Sequence, residues 1–188
     1  MNPAATISFM CKLFNWRRMA SAGIVGLLLL ACTPRYDWRE VRGSNAPYSV
    51  LLPAKPATLS RPINLDGIQV TMTMTAAEVD GVAFAVASAE LADAAAASSA
   101  LDAMQSGMLN NIGGSVRQQH SSGSDTSRRI DLEAGGALPP HAAAGSAPLL
   151  VARFVSRDRR VYQAIVLGPE NAISREAVET FFSSFKID

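Results

Sequence analysis

Hydrophobic and polar positions alternate most clearly over Ile68–Val79, where Ile68, Val70, Met72 and Met74 are interleaved with Gln69, Thr71, Thr73 and Thr75. A period of two predicts a β-strand. Asp80-Gly81 follows, a dipeptide suited to a type I′ hairpin turn. Residues 82–89 then return with Val82, Phe84 and Val86 on one side and alanines on the other. So small a side predicts a helix packed closely over it. Residues 94–110 supply that helix: Ala94, Ala97, Leu101, Met104, Met108 and Ile112 share one face, Asp93 suits the N-cap, and Gly113-Gly114 suits a left-handed C-terminal stop. Gly107 inside it costs about 1 kcal/mol relative to alanine.

The strongest pattern closes the chain. Residues 149–155 and 160–167 read as two strands turned at Arg157–Arg160, and 174–185 as a helix capped by Ser174. In the second strand Val161, Ile165 and Leu167 fall on one side and Tyr162, Ala164 and Val166 on the other. A strand apolar on both sides belongs in the middle of a sheet covered on both faces. Val178, Phe181, Phe182 and Phe185, spaced i, i+3, i+4, i+7, form one apolar stripe of the helix, so all three phenylalanines are expected to be largely buried.

The rest is weaker. Tyr48–Leu52 reads as a short strand ended by Pro53 and Pro56, and Pro62 predicts an irregular stretch up to Asn64. Residues 115–120 and 128–133 suggest a hairpin across 121–127, with Ile130 and Leu132 inward and Arg129, Asp131 and Glu133 outward. Residues 134–148 are rich in Gly, Pro and Ala and read as a long, mobile loop.

The first 31 residues look like a targeting segment. Lys12, Arg17 and Arg18 precede an uncharged run from Met19 to Leu30, with no acidic residue before Asp37, and Ala31-Cys32 ends the run. That is the pattern of a cleaved secretory signal, and the run is shorter than the about 20 apolar residues a membrane-spanning helix needs. Met10 would serve as an alternative start that keeps all three positive charges. Leu29-Leu30-Ala31-Cys32 resembles the lipobox of bacterial lipoproteins. The resemblance implies that Cys32 is the lipidation site, with cleavage before it and acylation of thiol and new amine. Two or more acyl chains make a stable anchor. Thr33 rather than aspartate after the cysteine leans towards the outer membrane, facing the periplasm. Residues 32–46, with Pro34, Gly43, Ser44 and Asn45 among alternating charges, read as a flexible tether, leaving 47–188 as the folded domain.

Composition narrows the chemistry. Cys11 would leave with the signal, so Cys32 is the only cysteine of the processed chain and stability must come from a packed core. Without Lys12, Arg17 and Arg18 the 17 basic residues become 14 against 16 acidic ones, a formal −2. A nucleic-acid binder would concentrate basic charge on one face, so no nucleic-acid partner is expected. His120 and His141 are too far apart, even with Asp125 and Glu133, to make a recognised metal spacing. Met72, Met74, Met104 and Met108 at strand and helix spacing read as core fillers rather than a soft-metal site. No G-x-S-x-G occurs, and Gly113-Gly114-Ser115 lacks the strand before and helix after that a phosphate turn needs. No catalytic residue, metal ligand or cofactor is expected.

A family resemblance is carried by Asn111-Ile112-Gly113-Gly114 at the first helix end, by Leu150-Val151-Ala152-Arg153-Phe154, by Arg160-Val161-Tyr162-Gln163-Ala164-Ile165-Val166-Leu167-Gly168-Pro169, and by Phe181-Phe182-Ser183-Ser184-Phe185-Lys186. Over about residues 47–187 the chain resembles the PsbP-like domains, which include the extrinsic photosystem protein PsbP, a Ran-binding import factor and many bacterial lipoproteins. Relatives carry a Pro-Gly-Arg-like turn where this chain has Thr126-Ser127-Arg128-Arg129. The resemblance implies an α+β fold, a mainly antiparallel sheet sandwiched between helices. It also implies binding or assembly work rather than catalysis. The expected function is that of a lipid-anchored envelope module that binds a protein partner; the alternative is a small-molecule or metal carrier using a pocket between sheet and helix.

Overall fold

The computed structural model describes residues 34–124, 126–137 and 147–188. The expected signal segment 1–31, Cys32, Asp125 and His141 lie outside the described residues, as does most of the 134–148 loop. Tyr36–Asp188 forms one compact unit. Its class is α+β, with antiparallel sheets.

Among the described residues there are two sheets. Strands β3 (Ala57–Leu65), β4 (Ile68–Val79), β5 (Val82–Glu90), β6 (Ser115–Ser124), β7 (Ser127–Gly135), β8 (Pro148–Arg157) and β9 (Arg160–Pro169) form the larger, in the order β3-β4-β5-β9-β8-β7-β6. Strands β1 (Arg39–Arg42), β2 (Tyr48–Leu52) and β10 (Lys186–Ile187) form the smaller, in the order β1-β2-β10. Helix α1 (Ala94–Ile112) lies over β7–β9 on one face of the large sheet. Helix α2 (Arg175–Ser184) packs on β2 and, with it, covers part of the other face.

The two-sidedness of β9 organises this arrangement. Val161 and Ile165 enter the core under α1 with Ala85, Ala89, Leu101, Ile130 and Phe154. Tyr162, Ala164 and Val166 enter a second core with Phe84, Val86, Tyr48, Val50 and Phe181. The alanine side of β5 faces α1, where Ala97 and Ala100 are themselves almost fully buried. Small side chains on both elements let helix and sheet approach. Caps define the helices. The Asp93 carboxylate accepts from the Ala96 N–H, Gly113 closes α1 in the left-handed conformation, and the Ser174 hydroxyl accepts from the Ala177 N–H.

Four readings are corrected. Pro62 does not interrupt the chain: β3 runs unbroken for nine residues and pairs with β4 from Ala57↔Ala76 to Leu65↔Ile68. As an edge strand it is paired on one side only, where a missing N–H is tolerated. Residues 32–46 are not a tether throughout: Arg39–Arg42 pairs with Leu52–Ser49, and Trp38 meets Phe84 edge-on at 6.3 Å. Its aromatic surface outweighs the entropy that a charged, Gly-containing segment gains by staying loose. The hairpin loop at 121–127 is mostly strand, since β6 extends to Ser124 and β7 starts at Ser127. Phe182 is only half-buried, whereas Phe181 is fully buried, because α2 presents Ala177, Val178, Phe181 and Phe185 to the core.

The threonine side of β4 is solvated only in part, at Gln69 and Thr71. Thr73 and Thr75 are buried beneath the Asn45–Tyr48 segment. Their hydroxyls bond Ser60 at 2.8 Å and Thr58 at 2.9 Å, and Asn45 Nδ2 donates to Thr73 Oγ1 at 3.1 Å. Buried hydroxyls with partners cost little, whereas unpaired ones cost about 1–3 kcal/mol.

Candidate functional site

On its α2 face the large sheet is covered over β5, β9 and part of β8, and left open over β7 and β6. Register puts Gln118 and His120 of β6 beside Glu133 and Asp131 of β7, which lie beside Val151 and Arg153 of β8. Helix α2 walls this floor with Val178, Glu179 and Phe182. The result is a cleft of about 300 Å3. Its floor and wall combine apolar surface from Val151, Val178 and Phe182 with a row of charged and polar side chains.

Those charges are arranged in pairs. Arg153 Nε donates to Asp131 Oδ1 at 2.7 Å, its Nη1 donates to the Phe182 carbonyl at 3.0 Å, and its guanidinium lies 5.1 Å above the Phe182 ring. Arg129 Nε reaches the other Asp131 oxygen at 2.6 Å. Burial alone would raise the Asp131 pKa, but the hydrogen bonds from Arg129 and Arg153 outweigh it and hold the carboxyl below its ordinary value. At the rim Arg175 grips Glu133 through both carboxylate oxygens, at 2.8 and 3.2 Å, and this pair keeps the Glu133 pKa low. Beyond it, Arg117 grips Glu170 in the same bidentate way.

A carboxylate held by two arginine contacts is a poor proton acceptor and a poor metal ligand. Among the described residues no three His, Cys, Asp or Glu side chains converge as a metal site. The groups left to meet a ligand are the side chains of His120, Gln118 and Glu179, none of which is hydrogen-bonded to another described residue, together with the exposed part of Phe182. Arg153, held by Asp131 and the Phe182 carbonyl and lying over the Phe182 ring, offers a positive edge.

Of the residues singled out in the sequence, His120 is in the cleft and Glu133 at its floor; neither approaches a second histidine among the described residues. Met104, on the inner face of α1, is buried and Met108 half-buried, while Met72 and Met74 are half-buried and line a separate groove beside β3. Gly113-Gly114 is the helix stop. Asp131, Arg153, Phe182 and Glu179 were not legible as a group, because the cleft is made by register and by a helix about fifty residues further along the chain. Alternation in β7, with Arg129, Asp131 and Glu133 on one side, was its only signal. No protein-family model matches this chain, and no curated protein matches it in sequence.

Proposed function

We propose that this protein is a lipid-anchored envelope lipoprotein with a PsbP-like α+β domain, acting as a protein-binding or assembly module through the cleft between α2 and β6–β8. The fold reading is supported by an antiparallel sheet with one helix on each face, ending in the Phe-x-x-Ser-Phe segment of α2. The anchor reading is supported by Leu29-Leu30-Ala31-Cys32 behind an apolar run. The single observation that carries the binding role is the cleft itself, where arginines neutralise Asp131 and Glu133 while His120, Gln118 and Glu179 lie beside apolar surface from Val151, Val178 and Phe182. The same cleft supports the second reading, a small-molecule carrier.

Two measurements on the full chain, expressed with its leader, test this. Fatty-acid probe labelling should mark the wild type and vanish in Cys32→Ala, which should also accumulate uncleaved precursor; labelling that persists in the variant removes the anchor. A photo-crosslinking residue at His120 should yield a discrete protein adduct in intact cells, and one at Ser99, exposed on α1, should not. No adduct at His120, with a small molecule retained in the native mass spectrum, would transfer the cleft to the carrier role.

A further inference from the structure

The point at which the folded body begins decides where it can touch the membrane. The tilted rings of Tyr36 and Trp38 lie 5.5 Å apart, Trp38 meets Phe84 of β5, and the Asp37 N–H donates to the Pro53 carbonyl at 2.8 Å. Only Thr33, Pro34 and Arg35 separate this fixed segment from Cys32. Four extended residues reach about 14 Å. Strands are spaced about 4.8 Å apart, so edge strand β3 lies about 10 Å from β5 and the opposite edge, β6, about 19 Å from it. Of the two sheet edges, β3 is therefore the nearer to Tyr36, where the compact unit begins.

That edge has the chemistry of a lipid contact. Between Pro53 and Ile63 the chain carries Lys55 and Arg61 and no acidic residue. Both are exposed and neither has an ion-pair partner among the described residues. Between them Leu59 is 64% exposed, at the mouth of a groove of about 320 Å3 lined by Met72, Met74 and Ala76. The acidic groups near this edge lie outside that stretch, Asp66 in the β3–β4 turn and Glu78 and Asp80 towards the β4–β5 hairpin. An apolar side chain flanked by cations is what an interface of anionic headgroups and acyl chains attracts.

We propose that the β3 edge, through Leu59, Lys55 and Arg61, is a membrane-contact surface that lays the domain against an anionic lipid surface. The proposal rests on acylation of Cys32. Its test uses the full chain in a Cys11→Ser background, purified after acylation and reconstituted into vesicles of phosphatidylethanolamine with phosphatidylglycerol. Nitroxide labels are placed at Leu59→Cys or His120→Cys, and collision with an aqueous nickel complex and with lipid-soluble oxygen is measured by power saturation. Position 59 should be several-fold less accessible to nickel and more accessible to oxygen than position 120. Adding Lys55→Glu and Arg61→Glu should return position 59 towards the aqueous value with acylation intact. Equal aqueous exposure at 59 and 120 in acylated protein overturns the contact surface and leaves the anchor standing. Protection at 59 that survives in detergent overturns it in favour of a protein occupant. A mass spectrum without acyl chains on Cys32 overturns the anchor first, and the contact surface with it.

Discussion

Asp131 shows how a single residue's environment settles what the cleft can do. Its carboxylate is partly buried, yet Arg129 and Arg153 hold its pKa low, and Arg175 does the same for Glu133. A lowered native pKa means that the ionised group contributes stability above the ordinary carboxylate value of about 4, and that this contribution fades as pH falls through the lower native value. Asp131→Asn should therefore be less stable than wild type at neutral pH and converge with it in acid. Denaturant melts at stepwise pH check this; parallel curves would show that the pair contributes nothing. The two adjacent phenylalanines give a second contrast. Phe181 is fully buried between Phe84 and the small sheet, so Phe181→Ala should cost about 3–5 kcal/mol. Phe182 keeps one side in the cleft beneath Arg153, and Phe182→Ala should cost about 1–2 kcal/mol. Equal losses for the two would mean that the stripe of α2 is rotated from its observed setting.

Elements held by their own sequence behave differently from those held by neighbours. Helix α1 has both caps in its sequence, so its glycines can be ranked by backbone alone. Gly107 is exposed, and a methyl group there would meet nothing within 4 Å. Gly107→Ala should stabilise the protein by about 0.5–1 kcal/mol. Gly113 has φ +54, so Gly113→Ala should destabilise by about 1 kcal/mol although its new methyl would make only ordinary contact with Ala137. Thermal melts that moved in the same direction for both would contradict this. The same distinction explains what was legible in the sequence. Strands β4, β5, β8 and β9 and both helices carry period, turn and cap in their own residues, and the structure reproduces them. Strand β3 carries Pro62 and a mixed pattern, and becomes a strand because β4 offers nine partners; the Asp66-Gly67 turn, both residues at positive φ, was the available signal and matches Asp80-Gly81. Strand β1 is made by β2 and by the aromatic contact of Trp38 with Phe84. No local pattern encodes such a contact, and for the same reason the cleft, assembled from β6, β7, β8 and α2, could not be read from any one stretch.

Among the described residues, the large sheet carries two cores that share its central strands. Phe84 and Ala85 point to opposite cores from adjacent positions of β5, as Tyr162 and Val161 do in β9. A change that loosens one core must displace a backbone that the other core also needs. The two should therefore unfold together rather than as separate layers. Leu101→Ala, on the fully buried inner face of α1, and Phe181→Ala, on the other face of the sheet, each remove about 3–5 kcal/mol by loss of buried surface and by cavity formation. In each variant the melting curves followed by far-ultraviolet circular dichroism and by tryptophan fluorescence should coincide. Trp38 sits in the α2-side core, so its fluorescence reports on the layer that Leu101 does not touch. The residues share no core, so their effects should add within about 0.5 kcal/mol if the double variant still folds. A Leu101→Ala protein that loses helical signal at lower denaturant while its tryptophan signal keeps the wild-type midpoint would mean that the two layers are independent, and that β5 and β9 transmit nothing between them.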